Sequence, residues 1–271
     1  METRQLADAH PPREIARLVE RLGVAKAHTD TVTLVLLAVL AGAFISLGAL
    51  FFTVVVTKSS LGFGVTRLLG GLSFCLGLIL VVVAGAELFT GNNLLALAWA
   101  SRLIGTREVM RNWLLAYLGN VIGCLGTVLF VVWADVGGLG GGALADTAIE
   151  IARAKADLSL GEAFARGVMC NALVCLAIWL AMGGRSVTDK ILAIIFPITA
   201  FVTMGFEHSI ANWFFLPFGV ALDKQGVVSV VGVVWNLVAV SAGNIVGGTL
   251  LVAGVYWVAY LRGERNPEDP S

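Results

Sequence analysis

The sequence predicts an all-helical integral membrane protein with six membrane crossings. Hydrophobic residues make up 58% of its 271 positions and charged residues 13%, and the mean hydropathy is +0.90, outside the range of soluble domains. A crossing helix needs about 20 apolar residues, and the apolar runs are too long, and too uniformly apolar, for barrel strands. These runs cover residues 31–57, 68–100, 109–134, 160–182, 191–220 and 227–261.

Residues 1–30 are predicted to form a cytoplasmic amphipathic segment. Ile15, Leu18, Val19 and Leu22 have the spacing of one helix face, and Pro12 suits the first turn of that helix. No apolar stretch of signal-peptide type occurs there. We expect this segment to lie along the membrane surface, followed by one transmembrane channel domain over residues 31–261 and a cytoplasmic tail over 262–271.

Basic residues near the ends of the crossings predict the orientation. They are concentrated in the N-terminal segment, in the loops before the third and fifth crossings and in the tail, whereas the opposite loops carry fewer. By the positive-inside rule both termini are cytoplasmic, in a multi-pass protein of the inner (cell) membrane. Membrane lipid is therefore an expected partner.

Several classes of function are disfavoured. The formal net charge is zero, so no footprint for nucleic acid is present and none is expected as a partner. The four cysteines lie inside apolar runs without CxxC spacing, so neither a metal nor another cofactor is predicted. A membrane enzyme or haem carrier is disfavoured because one histidine lies within the membrane and no GxSxG or HExxH motif accompanies it.

The second and fifth apolar runs are interrupted by related segments. Residues 85–92 (GAELFTGN) and 205–212 (GFEHSIAN) both match G-x-E-x-x-x-x-N, and residues 119–123 (GNVIG) are echoed by 243–247 (GNIVG). This pattern indicates a duplication, with chance similarity between Gly-rich segments as the alternative. Since each half has three crossings, the repeats, about 31–134 and 160–261, have opposite orientations.

Two broken helices in the membrane predict a cavity between them. Half-helices that begin near Asn92 and Asn212 would direct positive dipole ends toward the midplane, which favours an anion. His208 is the leading functional candidate, although a neutral histidine that only bonds the loop backbone is the alternative. Glu87 and Glu207 are expected to tie down the two loops. The Phe and Leu residues beside the breaks fit a hydrophobic gate or plain helix packing.

At these residues the sequence resembles the formate/nitrite transporter family. The motifs that carry the resemblance are GAELFTGN (85–92), MCNALVCLAIW (169–179), GRSVTDK (184–190) and GFEHSIAN (205–212). The resemblance implies an aquaporin-like protomer of six helices with the second and fifth broken. It also implies a homopentamer in which each protomer has its own pore.

The resemblance further implies which residues line the pore. Thr90 and His208 would face each other at its centre, and Lys155 would attract anions in a vestibule. Asn171 and Val174 match pore-lining positions of the fourth helix. Constriction positions are matched on one side by Phe74, Leu78, Leu88 and Phe89, and on the other by Phe201.

Formate is the expected substrate, with nitrite next and hydrosulfide or short carboxylates as further alternatives in the family. Because a bare anion is costly to desolvate between apolar rings, we expect a proton to reach it from or through His208, oriented by Thr90. A neutral-solute pore of aquaporin type is the alternative from another class, but its paired Asn-Pro-Ala motifs are absent.

Overall fold

The computed structural model of the protein describes residues 9–263, and within that range the chain forms helices and turns but no strand. The predicted all-helical class is therefore confirmed. The tail expected at residues 262–271 lies almost wholly outside the described residues, as does the start of the N-terminal segment. The α-helices are α1 Pro12–Ala27, α2 Thr31–Val56, α3 Gly62–Ala84, α4 Phe89–Asn92, α5 Ala96–Ala100, α6 Thr106–Trp133, α7 Ala143–Ala156, α8 Leu160–Gly183, α9 Val187–Thr203, α10 Ser209–Leu222 and α11 Val230–Val246.

Six crossings can be traced through these helices, and the second and fifth are broken as predicted. Helices α2, α3, α6 and α8, and α11 with its π-helical continuation to Leu261, are long and apolar enough to span a membrane. The second crossing continues past its break through α4, a 3₁₀ turn and α5. The fifth is divided between α9 and α10, neither of which is long enough alone.

Each break begins at a glycine with left-handed backbone geometry. Gly85 ends α3 with φ of 81°, and Gly205 follows α9 with φ of 73°. A side chain at either position would be strained because L-residues rarely adopt positive φ. The two glycines of the repeated motif therefore turn the chain out of its helix at equivalent places.

The echoed GNxxG segments allow pairs of crossings to pack backbone against backbone. A Cβ atom at Gly123 of α6 would lie 2.0 Å from the carbonyl oxygen of Val39, and one at Gly247 would lie 2.1 Å from that of Val168. Such close approach is typical of membrane helices that associate through small residues. Helix α6 therefore packs on α2 as α11 packs on α8.

Two shorter helices complete the halves. Helix α1 precedes the first crossing and α7 precedes the fourth, in a connection for which no helix was predicted. Helix α1 buries Ile15, Ala16 and Val19 against residues that include Leu97 and Trp179. Each half is thus one amphipathic helix followed by three crossings. The division into N-terminal segment, channel domain and tail stays a prediction.

Candidate functional site

The two breaks meet in the middle of the protein. Thr90 Oγ1 lies 2.9 Å from Nε2 of His208, and both residues are buried, with exposures of 0% and 3%. Thr90 is in the first turn of α4 and His208 is the N-cap of α10. The hydrogen-bonded pair therefore joins the beginnings of the two half-helices; that it lies at the centre of a pore stays a prediction.

The bonds of His208 determine which ring nitrogen carries the proton. The backbone N–H of Ala211 donates to Nδ1 at 3.1 Å, so Nδ1 is an acceptor. A neutral imidazole has one N–H group, which must then be on Nε2, where it donates to Thr90 Oγ1. The side chain thus caps α10 with one nitrogen and offers an N–H donor at the other.

A small void, the central void, lies beside this pair and is almost entirely apolar. Its volume is about 10 Å³. Ile45 and Ile198, which were not predicted, form part of its wall. The predicted residues that line it are Phe74, Leu78, Leu88, Val174, Phe201 and His208.

Larger cavities lie on either side of the central void. The Lys155 cavity, of about 210 Å³, shares Phe74, Phe201 and His208 with the void. The Lys26 cavity, of about 320 Å³, shares Leu88. Phe74 and Phe201 meet edge to face with ring centroids 5.7 Å apart. A path from one cavity to the other therefore passes an aromatic constriction, the void and then Leu88.

Lys155 lies in its cavity as an ion pair. Its Nζ donates to both carboxylate oxygens of Glu207, at 2.9 and 3.0 Å, and the two side chains are 16% and 5% exposed. Asn212 donates to Glu207 at 2.6 Å and to Asn236 at 2.8 Å. Glu207 thus holds together α7 and the start of α10, the kind of contact expected of a structural carboxylate.

The same arrangement occurs in the Lys26 cavity. Lys26 Nζ donates to both oxygens of Glu87 at 2.9 Å, and Asn92 donates to Glu87 at 2.8 Å and to Asn112 at 2.9 Å. Lys26 was not predicted as part of the site. The sequence gives little indication that Lys26 is equivalent to Lys155. The two lysines share only an Ala-Lys-Ala triplet, at residues 25–27 and 154–156.

The asparagines of the echoed segments tie each break to its own half. Asn120 donates to the carbonyls of Ala38 and Glu87 and accepts from the N–H of Phe89, at 2.7 to 2.9 Å. Asn244 does the same with Gly167, Glu207 and Ser209, at 2.8 to 3.0 Å. These bonds satisfy backbone groups that the breaks leave without helical partners.

Three predicted pore residues, Thr90, Phe89 and Asn171, are not among the residues that line the three cavities. The ring of Phe89 packs against Tyr117 at a centroid distance of 4.9 Å. Leu88 is extended and lines the central void, so the next side chain points the opposite way. Asn171 donates to the carbonyl oxygens of Thr90 and Asn244 at 3.2 and 2.7 Å. Asn171 therefore binds backbone groups of the site and does not line a cavity.

The chain is similar to known proteins along most of its length. A sequence model described as "Formate/nitrite transporter" matches residues 13–258. The formate channel FocA of Escherichia coli (strain K12) is 36% identical over 269 residues, covering 93% of this chain and 94% of the relative. A probable formate transporter of Methanothermobacter thermautotrophicus is 37% identical over 274 residues, covering 93% and 97%.

A solved structure supports the same relationship. A pentameric formate channel with formate bound superimposes with a TM-score of 0.78 at 37% sequence identity, over 85% of this chain and 98% of that one. The architecture, the pair of broken crossings and the sequence similarity thus agree along nearly the whole chain. This multi-pass membrane protein belongs to the formate/nitrite transporter family.

Proposed function

We propose that the chain is a channel for small monovalent anions with formate as its substrate. The observation that carries this proposal is the Thr90–His208 pair beside an apolar void that separates two cavities. The names of the relatives, formate channel and probable formate transporter, support formate. Nitrite is the second candidate because the family description includes it.

The apolar constrictions suit an uncharged species better than a bare anion. An ion in an apolar void without hydrogen bonds loses solvation that is worth many kcal/mol, whereas the neutral acid loses far less. The His208 Nε2–H group can donate a hydrogen bond to an arriving oxygen in place of Thr90. In this proposal the cationic lining of the Lys155 cavity and the dipoles of the half-helices concentrate the anion before it reaches His208.

Proton transfer from His208 has a structural requirement. If the neutral imidazole gave up its Nε2 proton it would become an imidazolate, so the ring must first gain a proton at Nδ1. That nitrogen is occupied by the N–H of Ala211. We therefore propose that protonation of the substrate through His208 is coupled to release of this bond at the start of α10.

The assembly and location follow the same relatives. The pentameric state of the similar solved channel supports a homopentamer with one pore in each protomer. We propose that the protein resides in the inner membrane with both termini cytoplasmic. We also propose that it acts without a cofactor and as a transporter rather than an enzyme.

Flux through purified protein in liposomes tests the function. Formate, nitrite, hydrosulfide and chloride are compared for wild type, His208→Ala and His208→Asn by stopped-flow or electrical recording. Selective flux of one small anion is expected, with loss in His208→Ala. If wild type carries none of these anions, the channel function is wrong.

The asparagine variant tests the role of the proton separately. Asn can cap α10 in place of His208 but cannot pass a proton. We expect His208→Asn to abolish pH-dependent, proton-coupled uptake. Uptake that keeps its full pH dependence in this variant would rule out the relay and leave the channel. Swelling in glycerol or urea, which we expect to be absent, would instead indicate a neutral-solute pore.

A further inference from the structure

The two cavities differ in charge although their ion pairs correspond. The Lys26 cavity is lined by one cation, Lys26, and one carboxylate, Glu87. The Lys155 cavity has three cationic side chains, Lys155, Arg67 and Arg166, against the single carboxylate of Glu207. Two positive charges are thus unbalanced in a space of about 210 Å³, which favours the entry of anions from this side.

Two of these three cations already have partners. Both oxygens of Glu207 bind Lys155, so the charge of its ammonium group is balanced. Arg67 donates through Nε and Nη2 to the backbone carbonyls of Thr203 and Val202. Its guanidinium also lies 5.8 Å from the ring centroid of Phe52. An arriving anion would have to compete with these contacts.

Arg166 is different because, among residues 9–263, no hydrogen bond of its guanidinium is found. Arg166 lines the cavity, and its positive charge interacts with the carboxylate of Glu162, one turn earlier in α8. Glu162 directs Oε2 to the N–H and hydroxyl of Ser159, so its interaction with Arg166 is between charges and is not a hydrogen bond. The backbone of Arg166 is held beside the break, since its carbonyl oxygen accepts a hydrogen bond from the backbone N–H of Glu207 at 3.3 Å.

We propose that Arg166 is the residue that captures the anion in the Lys155 cavity, ahead of the Thr90–His208 pair. Its planar fork of N–H donors fits the two oxygens of a carboxylate or of nitrite, and no internal bond has to be broken first. This inference rests on the proposed function, because it assigns a capture step to the same pore. Lys155 then mainly holds Glu207 and the break in place.

Concentration-dependent flux tests the capture role. Formate flux is measured in proteoliposomes at constant ionic strength for wild type, Arg166→Gln, Arg166→Lys and Arg153→Gln. Arg153, on the same helix as Lys155, is 61% exposed and lies 3.6 Å from Asp157, so its variant makes the same charge change outside the cavity. We expect Arg166→Gln to raise the half-saturating formate concentration about tenfold without lowering maximal flux. Arg166→Lys, which keeps the charge but not the planar fork, should recover only part of the affinity, and Arg153→Gln should match wild type.

A second readout does not depend on transport. The melting temperature of the detergent-solubilised protein is followed while sodium formate replaces sodium gluconate at constant ionic strength. Formate should stabilise wild type and Arg153→Gln but not Arg166→Gln. Stabilisation without flux in wild type would overturn the proposed function and leave the capture site. Equal half-saturation and equal stabilisation in wild type and Arg166→Gln would overturn the capture site alone, and so would a loss confined to maximal flux.

Discussion

The two halves of the molecule share their supporting contacts and differ where they meet. Lys26 and Glu87 are arranged in the first half as Lys155 and Glu207 are in the second. Within the repeated motif, however, Leu88 corresponds to His208 and Thr90 to Ile210. Leu88 lines the central void without a polar group, whereas His208 brings a hydrogen-bond donor to it.

This difference distinguishes the residues that support the breaks from the residues that are candidates for transport. Backbone outside a regular helix must be satisfied at membrane depth in both halves, so both need an asparagine and a carboxylate at the break. In the proposed channel, the centre of the pore needs only one hydrogen-bond donor on the path of the anion. The polar side chains that the halves share therefore hold the breaks, and those that differ are the candidates for transport.

The largest effect should come from removing the asparagine that supports either break. Asn120→Ala and Asn244→Ala each remove three hydrogen bonds and leave buried backbone groups without partners. We expect each to lower the free energy of unfolding in mixed micelles by about 4 kcal/mol. Thr127→Val, which loses only a bond to the carbonyl one turn earlier, is the control. Losses that differ by more than about 2 kcal/mol would break the equivalence of the halves.

Removing the carboxylate of either ion pair should lower the free energy of unfolding by less than the asparagine variants do, and by different amounts in the two halves. Glu207→Gln leaves Lys155, which is 16% exposed, without its charge partner, and Glu87→Gln does the same to Lys26, which is 31% exposed. We expect the free energy of unfolding to fall by about 3 and 2 kcal/mol respectively, since the more buried cation loses more.

A double substitution separates charge from packing in this prediction. Lys155→Met combined with Glu207→Gln removes the stranded cation, so it should recover most of the stability in the same unfolding experiment. A double variant as unstable as Glu207→Gln would mean that packing, rather than the unpaired charge of Lys155, dominates the loss.

Changing His208 to the residue of the other half should have a modest effect on stability. His208→Leu loses the cap on α10 that Nδ1 provides, and we expect a cost of about 1 kcal/mol. His208→Asn should restore the cap but not the flux. If the leucine variant instead conducted formate at the rate of wild type, the unmatched residues would not be the transport residues.

The smallest effect concerns helix caps at equivalent positions outside the membrane. Asp30 caps α2 through the N–H groups of Val32 and Thr33, whereas Ser159 caps α8. The Thr33 N–H holds the pKa of the Asp30 carboxyl below its ordinary value. This stabilisation is therefore present above about pH 3.9 and is lost as the pH falls through the lower folded-state pKa. Between pH 6 and pH 3 the melting temperature should decrease slightly less for Asp30→Ser than for wild type. An identical decrease in the two proteins would contradict this role of Asp30.

Much of the fold could be predicted because apolar length and two motifs determine it. The breaks occur where Gly85 and Gly205 of the repeated motif indicated them. Helix α7 and the partnership of Lys26 with Glu87 could not be predicted. The loops of the two halves differ in length, so only short stretches align, and an isolated lysine gives no sign of a carboxylate 61 residues away.

The site could be predicted only in part for a similar reason. Family resemblance pointed to the contact between Thr90 and His208, which are 118 residues apart. It could not give the direction of Phe89, which depends on how many residues the break keeps extended. Nor did it indicate Arg166, because an arginine near a helix start reads as an ordinary interfacial residue until its partners are known.

The size of the central void bears on the energy stored across the membrane. At about 10 Å³ it has space for one water molecule at most, and most of its walls are apolar. A continuous file of water, along which protons could hop, therefore does not fit through the protein in this state. In the proposed mechanism protons cross only together with the acid, so a cell could keep many copies of such a channel in its membrane without short-circuiting its proton gradient.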